Sequence, residues 1–236
     1  MAAKRVVTLE NIGQVTLTKR KGNTNIRLSY ARNGDIRVSL PYFVPYEAGI
    51  AFVKSKTDWL ITHRPAKSAQ LSQGHRIGKA HRLNFVVSPQ QSARVHVGHN
   101  KITVSCPVST PSTHQSVQQA AIRGAHKALK LEADQLLPQR LASVAQKYGF
   151  TYKSVTTKRL SSRWGSCSQN HDITLNIYLM QLPWHLIDYV IVHELVHTEH
   201  LNHSQEFWKR FEEVLPNAKA LRKELKTYPT SVQPSE

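Results

Sequence analysis

The chain has 236 residues, of which 40% are hydrophobic, and carries 32 Lys and Arg against 15 Asp and Glu. This length and apolar content support a folded core and exclude a wholly disordered chain. Two cysteines exclude a disulfide scaffold and a four-thiolate zinc site, and no run of eighteen apolar residues could span a membrane. Because the first residues also lack the apolar core of a secretory signal, we expect a cytoplasmic protein with no membrane partner.

The N-terminal part of the chain shows the two-residue alternation of β-strands. Strands are predicted at residues 15–18, 25–30, 35–40, 82–87, 94–97 and 101–104. Asn33 and Gly34 predict a tight hairpin turn, because both residues tolerate positive φ. An apolar stripe predicts a helix over residues 46–64, which Pro65 ends. We therefore expect residues 1–110 to form a basic, antiparallel β-rich region.

The formal charge of +17 is concentrated in this part of the chain. Residues 1–131 hold 20 basic and 4 acidic residues, whereas residues 132–236 hold 12 and 11. Such a field attracts polyanions without reading their sequence, so non-specific nucleic acid is one possible partner. A solvated basic surface explains the same charge, and we favour it, because no sequence motif interleaves aromatic residues with these cations.

The C-terminal part of the chain shows mainly the 3.6-residue period of helices. Helices are predicted at residues 116–148, 183–200, 204–215 and 219–226, and strands at 152–158 and 172–178. Pro138 is expected to kink or split the first of these helices, and Gly149 to follow its end. The Pro/Ser/Thr stretch 107–113 suggests a domain boundary, so we predict a core at 111–227 and a disordered tail at 228–236. The fold class is α+β.

The segment from His193 to His197 contains the spacing H-E-x-x-H on the predicted helix. Residues four apart stand one above the other on a helix, so both histidines can point at one metal ion. Glu194 lies about 100° around the helix, where its carboxylate can hold a water bound to that ion. Zinc lowers the pKa of such a water and polarises a carbonyl, and the carboxylate takes the proton. The motif thus predicts two zinc ligands and a general base.

A catalytic zinc site needs a third protein ligand and one open position. His203 follows the expected helix end, and Asn202 tolerates the left-handed turn that would fold it back. His200 is the first competitor, but its own helix would hold it one turn away. The second competitor for the third ligand position is a downstream glutamate, which could be Glu206, Glu212 or Glu213. We rank His203 above them.

Around this motif the chain resembles the YgjP-like metallopeptidase domain family, which is related to the SprT-like and WLM zinc peptidases. The resemblance is carried by VIVHELVHTEHLNHSQEFWKRFEEVLPN, by RWGSCS at residues 163–168 and by ITLN at 173–176. It implies a zincin-like core, with an H-E-x-x-H helix packed on a small sheet. It also implies that His193, His197 and His203 bind one zinc ion and that Glu194 is the base. The spacing to His203 equals that of metzincins, but His200 replaces their glycine and no Met-turn follows.

The loop before the second C-terminal strand has two interpretations. Cys167 could be a nucleophile or ligand, or it could be a small buried side chain beside a bend that Gly165 permits. We favour the second, with a sheet edge that lines the substrate and could pair with it as an added strand. The predicted substrate-lining residues are Arg163, Trp164, Gly165, Ser166, Cys167 and Asn176.

The sequence therefore predicts a zinc metalloendopeptidase that hydrolyses protein or peptide substrates through a metal-bound water activated by Glu194. The alternative is a basic, nucleic-acid-associated binding protein in which zinc only holds two helices together. The fourth coordination position discriminates between them, since a water there indicates catalysis and a fourth protein ligand indicates structure.

Overall fold

The structure is a computed structural model that describes residues 4–10, 12–30, 35–62 and 70–233. It divides into two compact units, residues 1–69 and residues 70–236. In the described residues the chain forms eleven strands and six α-helices, which confirms a mixed α+β fold. No described helix combines the length and apolarity needed to cross a bilayer.

The first unit is a four-stranded sheet with two helices. The strands are β1 (Lys4–Leu9), β2 (Gly13–Arg20), β3 (Arg27–Tyr30) and β4 (Ile36–Pro41), and the helices are α1 (Tyr46–Ser55) and α2 (Thr57–Thr62). One sheet face is buried and packs with Val53 and Leu60 of the helices. The single helix predicted over 46–64 is broken at Lys56. The predicted turn at Asn33 and Gly34 lies outside the described residues.

The strand order of this sheet is β1-β2-β4-β3. The β1–β2 and β3–β4 pairs are antiparallel, but β2 and β4 are parallel, so the expectation of purely antiparallel pairing was wrong. Alternation of buried and exposed residues is the same in both kinds of pair, which is why the pattern did not determine strand direction.

The second unit contains two small sheets on either side of one long helix. The first sheet has the order β5-β6-β8-β7 and the second the order β10-β11-β9. The strands are β5 (Arg76–Ile77), β6 (His81–Ser88), β7 (Arg94–Val97), β8 (Lys101–Pro107), β9 (Ser154–Lys158), β10 (Gly165–Cys167) and β11 (Asp172–Asn176). The helices are α3 (Gln115–Tyr148), α4 (Trp184–Val196), α5 (Gln205–Val214) and α6 (Ala218–Leu225), with a 3₁₀ helix at Ile177–Gln181.

Helix α3 joins these sheets into a single hydrophobic core, which runs from Leu71 to Leu225. It continues through Pro138 without splitting and ends at Gly149, which has φ of 74°. Gly124 allows its close approach to the first sheet, since a Cβ there would lie 2.5 Å from Val95. The compact unit therefore begins at residue 70, so strands that the sequence grouped with residues 1–110 share the core of the C-terminal helices.

The final segment contacts this unit as far as the structure describes it, although disorder was expected from residue 228. Thr230 donates to the carbonyl of Ser161, and the Gln181 amide donates to the carbonyl of Ser231. Val232 packs against the core. These contacts attach residues 230–232 to the loop that precedes β10, to the 3₁₀ helix and to the core.

A buried carboxylate fixes the turn between β5 and β6. Glu132 of α3 accepts the backbone N–H groups of Lys79, Ala80 and His81 at 2.6, 2.9 and 3.2 Å, and its Oε1 lies 2.6 Å from the His81 ring. Gly78 has φ of 68°, and a Cβ there would lie 2.2 Å from the carboxylate. Helix and turn are thus complementary in charge and shape.

We expect the substitution Glu132→Ala to lower the free energy of unfolding by about 2–5 kcal/mol, because it leaves three buried N–H groups without an acceptor. Chemical denaturation measures this change. The control is Lys127→Ala, which removes an exposed side chain from the same helix and should change stability by about 0.5 kcal/mol or less. Equal effects of the two variants would contradict this role of Glu132.

Candidate metal centre

Helix α4 places the H-E-x-x-H residues inside the second unit. Pro183 precedes it, and apolar residues on nearly all sides of the helix are buried. The helix ends at Val196, earlier than the predicted residue 200, because the turn tightens there. The N–H of Thr198 bonds to the carbonyl of Leu195, and that of Glu199 to the carbonyl of Val196. The chain then reverses towards α5, which Ser204 caps at its N-terminus.

Three histidines converge where α4 meets this reversal. The ring centres of His193 and His197 lie 4.9 Å apart, and that of His203 lies 5.0 and 4.7 Å from them. The Nε2 atoms of His193 and His203 are 3.1 Å apart. All three side chains offer a ligand atom within 4.8 Å of the others. The structure thus brings together the three histidines that the sequence singled out.

The other ligand candidates lie outside this cluster in the described residues. His200 contributes its carbonyl oxygen, which accepts the Nδ1–H of His197 at 3.0 Å. Of the glutamates, Glu206 hydrogen-bonds with Ser204, while Glu212 and Glu213 pair with Lys219 and Arg210.

The spacing of the His193 and His203 nitrogens fits a tetrahedral cation. A metal held at Zn–N distances of about 2.0–2.1 Å keeps its ligand nitrogens about 3.3 Å apart, close to the observed 3.1 Å between His193 and His203. Since a carbonyl can only accept, the bond to His200 fixes the proton of His197 on Nδ1 and leaves Nε2 free to bind.

Burial keeps two of these rings neutral. It lowers the pKa of His193 to about 3, helped by repulsion from His197, His203 and Arg222. Burial also lowers the pKa of His197. Metal ligands must be deprotonated, so these histidines can bind a cation at neutral pH without first losing a proton.

Helix α5 forms an aromatic wall behind the histidines. The Trp208 ring stacks on the His203 ring, with ring centres 5.8 Å apart and planes at 27°. The ring centres of Phe207 and His197 lie 4.6 Å apart. The guanidinium of Arg222 on α6 lies 5.2 Å above Trp208. His203 follows a loop, and its ring is restrained by the stack on Trp208 and by Phe207, whose ring centre lies 4.8 Å from its own. Nothing in the sequence spacing of Trp208 indicated this contact.

Glu194 is buried against β10 and points away from solvent. Burial raises the pKa of its carboxyl to about 8, and the Arg163 charge opposes that rise. Gly165 is what makes room for it, since a Cβ there would lie 2.6 Å from Oε1 and 2.7 Å from Cγ of Glu194. The carboxyl is therefore able to hold or release a proton near neutral pH.

The other predicted substrate-lining residues occupy different positions around this contact. Arg163 is exposed, while Ser166 and Cys167 are partly buried on β10. Burial, with the nearby Glu194 charge, raises the pKa of Cys167 to about 11, which disfavours a thiolate nucleophile. Trp164 packs against the core.

Asn176 lies behind the loop and not on its open side. It is fully buried, and its Nδ2 donates to the carbonyls of Leu160 and Arg163 at 3.0 and 2.8 Å. Its Oδ1 accepts the N–H of Tyr178 at 3.2 Å. Asn176 therefore holds the loop that carries Arg163, and its side chain is closed to solvent.

The YgjP-like metallopeptidase domain family matches residues 24–228 of the chain. Two solved structures are similar over a smaller part. The metallopeptidase zymogen of Pyrococcus abyssi abylysin is 26% identical, covering 39% of this chain and 93% of its own, with a TM-score of 0.36. The metallopeptidase zymogen of Methanocaldococcus jannaschii jannalysin is 17% identical, covering 37% of this chain and 90% of its own, with a TM-score of 0.33. The chain matches none of the curated proteins.

We expect Gly165→Ala to lower the free energy of unfolding by about 1–3 kcal/mol, because the added methyl group overlaps the buried side chain of Glu194. Chemical denaturation measures this change in the free energy of unfolding. Ser166→Ala on the same strand adds no atoms and serves as the control, with an expected change of about 0.5 kcal/mol or less. Unchanged stability of the Gly165 variant would show that Glu194 does not need this space.

Proposed function

This chain belongs to the YgjP-like metallopeptidase domain family, which implies a metal ion and a protein or peptide substrate, and we propose that it is a zinc-dependent endopeptidase. In this proposal His193, His197 and His203 hold the zinc, and Glu194 moves the protons of peptide hydrolysis. Helix α4 and the sheet edge at β10 form a zincin-like core. The observation that carries the proposal is that nitrogens of the three histidines converge beside a buried carboxyl. That carboxyl belongs to Glu194, which follows His193 directly in the chain.

The donor set favours zinc over other common cations. Calcium and magnesium prefer oxygen ligands, whereas imidazole suits zinc and related transition metals. When bound, zinc would polarise a peptide carbonyl and lower the pKa of a water molecule.

Glu194 then acts as the proton carrier. Its carboxylate accepts a proton from the attacking water and delivers it to the nitrogen of the leaving amine. A pKa near 8 in the metal-free site supports this role, because a carrier works best when its pKa is close to the working pH. Nearby positive charge, from Arg163 and from a bound cation, would favour the ionised form that starts the cycle.

The edge of the second sheet provides a place for an extended substrate. In the order β10-β11-β9, β10 has a sheet neighbour on one side only in the described residues. A peptide that pairs with β10 would pass Gly165, and therefore Glu194, at short range. Arg163, Trp164, Ser166 and Cys167 would line that path.

The number of protein ligands favours catalysis over a purely structural zinc. Structural zinc sites are closed by four protein ligands, whereas catalytic sites keep one position for water or substrate. Among the described residues, the cluster holds three histidines and no fourth histidine, cysteine or carboxylate. This supports the peptidase over the alternative in which zinc only joins two helices.

We expect Glu194→Gln to lower peptidase turnover by about 10²–10⁴-fold while zinc content stays at one ion per chain. Cleavage of an unfolded, fluorescently labelled casein and elemental analysis measure the two quantities. Glu199→Gln is the matched control, since it makes the same change at a surface residue paired with Arg210. Full turnover by the Glu194 variant would remove this residue from the mechanism.

We expect Trp208→Leu to weaken zinc binding by about 10–100-fold, because His203 loses the ring on which it stacks. Competition with a chromogenic chelator measures the affinity. The control makes the same substitution at Trp184, whose ring faces Lys79 and Arg140. An unchanged zinc affinity of the Trp208 variant would mean that the stack does not position His203.

A further inference from the structure

The sheet of the first unit has two different faces, and only one of them is covered by α1 and α2. Residues paired across neighbouring strands point to the same side of a sheet. Val15, Leu17, Val38 and Leu40 lie on the buried side. Their neighbours along each strand form the opposite side, which we call the outer face. It is exposed or only partly buried along β1, β2 and β3.

Rows across the outer face combine cations with hydroxyl groups. A row here means the residues that lie opposite one another in register on neighbouring strands. One row runs across β1, β2, β4 and β3 and consists of Lys4, Thr18, Ser39 and Arg27. Neighbouring strands are about 4.8 Å apart, so this row places two hydroxyls between two cations about 14 Å apart.

Two further cations continue this pattern. Arg37 stands between Thr16 and Ser29 in the adjacent row, and Arg20 is opposite Pro41 at the end of β2. Like Lys4 and Arg27, they have no ion-pair partner among the described residues. Arg5 on the other side of the sheet pairs with Glu47.

The four strands that form the outer face supply cations and no acidic residues. Residues 1–69 contain 12 Lys and Arg against 4 Asp and Glu. The outer face therefore presents a positive field with hydrogen-bond donors among the charges, which is the chemistry that binds phosphate groups.

Two exposed aromatic rings follow directly after β4. Tyr42 and Phe43 are 56% and 81% exposed, and the Nζ of Lys21 lies 6.0 Å from the centre of the Tyr42 ring. They adjoin the end of the outer face, where Arg20 is opposite Pro41. The fold thus places aromatic rings beside cations, a combination that was not visible as a sequence motif. Such rings stack on unpaired bases.

We propose that the outer face binds single-stranded nucleic acid. The cations and hydroxyls of β1–β4 contact the phosphate backbone, and Tyr42 and Phe43 stack on bases. A bilayer surface fits less well, because Val6 is the only large apolar side chain exposed on these strands in the described residues. Duplex DNA would leave both aromatic rings without a base to stack on. This binding is independent of the metal centre.

The test measures the anisotropy of a fluorescein-labelled 20-nucleotide oligo(dT) with the full chain at 50–200 mM salt. We expect log K to fall with log[salt] with a slope of about −3, since four cations each contribute about −0.7. Arg27→Gln with Arg37→Gln should weaken binding at least about tenfold and make the slope shallower. The control, Lys54→Gln with Lys56→Gln, removes the same charge from exposed positions at α1 and should change affinity less than about threefold.

A second variant tests stacking without a change of charge. Tyr42→Ala with Phe43→Ala should weaken oligo(dT) binding about tenfold or more. Zinc removal and Glu194→Gln should leave the affinity unchanged, so failure of the peptidase proposal is distinguishable from failure of this one. Equal losses from the two charge variants would overturn the proposal. So would binding to vesicles containing phosphatidylserine through the same residues, without binding to oligo(dT).

Discussion

The arrangement of the site depends on one local constraint, the return of His203 onto the face of α4 that carries His193 and His197. Two histidines one turn apart are a property of the helix itself, but the third comes from a loop. The tightened turn after Val196, the bond from His197 to the carbonyl of His200 and the cap at Ser204 direct the chain back. The result is two ring nitrogens 3.1 Å apart.

Neutral imidazole rings that face one another have little interaction energy, so their contacts alone do not offset the cost of burying their polar atoms. His193 Nδ1 is buried and has no hydrogen-bond partner among the described residues. Burying such groups is costly unless something compensates. A cation bound at the facing Nε2 atoms of His193 and His203 would stabilise the close approach of the rings, whereas Nδ1 of His193 is not satisfied by that cation. The Trp208 ring, held under Arg222, then limits how far His203 can turn away.

The two units carry different electrostatic properties. The candidate metal centre in the second unit joins exposed His203 to the buried carboxyl of Glu194, and burial raises the pKa of that carboxyl to about 8. The first unit instead presents, on an exposed sheet face, cations that have no ion-pair partner in the part of the chain that the structure describes. The two proposals therefore place peptide hydrolysis and nucleic-acid binding in different units, so that each can be tested without altering the other.

The sequence alone determined the features that depend on short-range periodicity. The H-E-x-x-H spacing, the strands of residues 82–107 and the end of α3 at Gly149 follow from residues close together in the chain. Strand direction in the first sheet, the start of the second unit at residue 70 and the continuity of α3 through Pro138 did not follow from it. The same holds for the contact of Gly165 with Glu194 and the stack of Trp208 on His203. These features are set by contacts between residues distant in sequence, and the pattern of one segment does not record which surface it will meet.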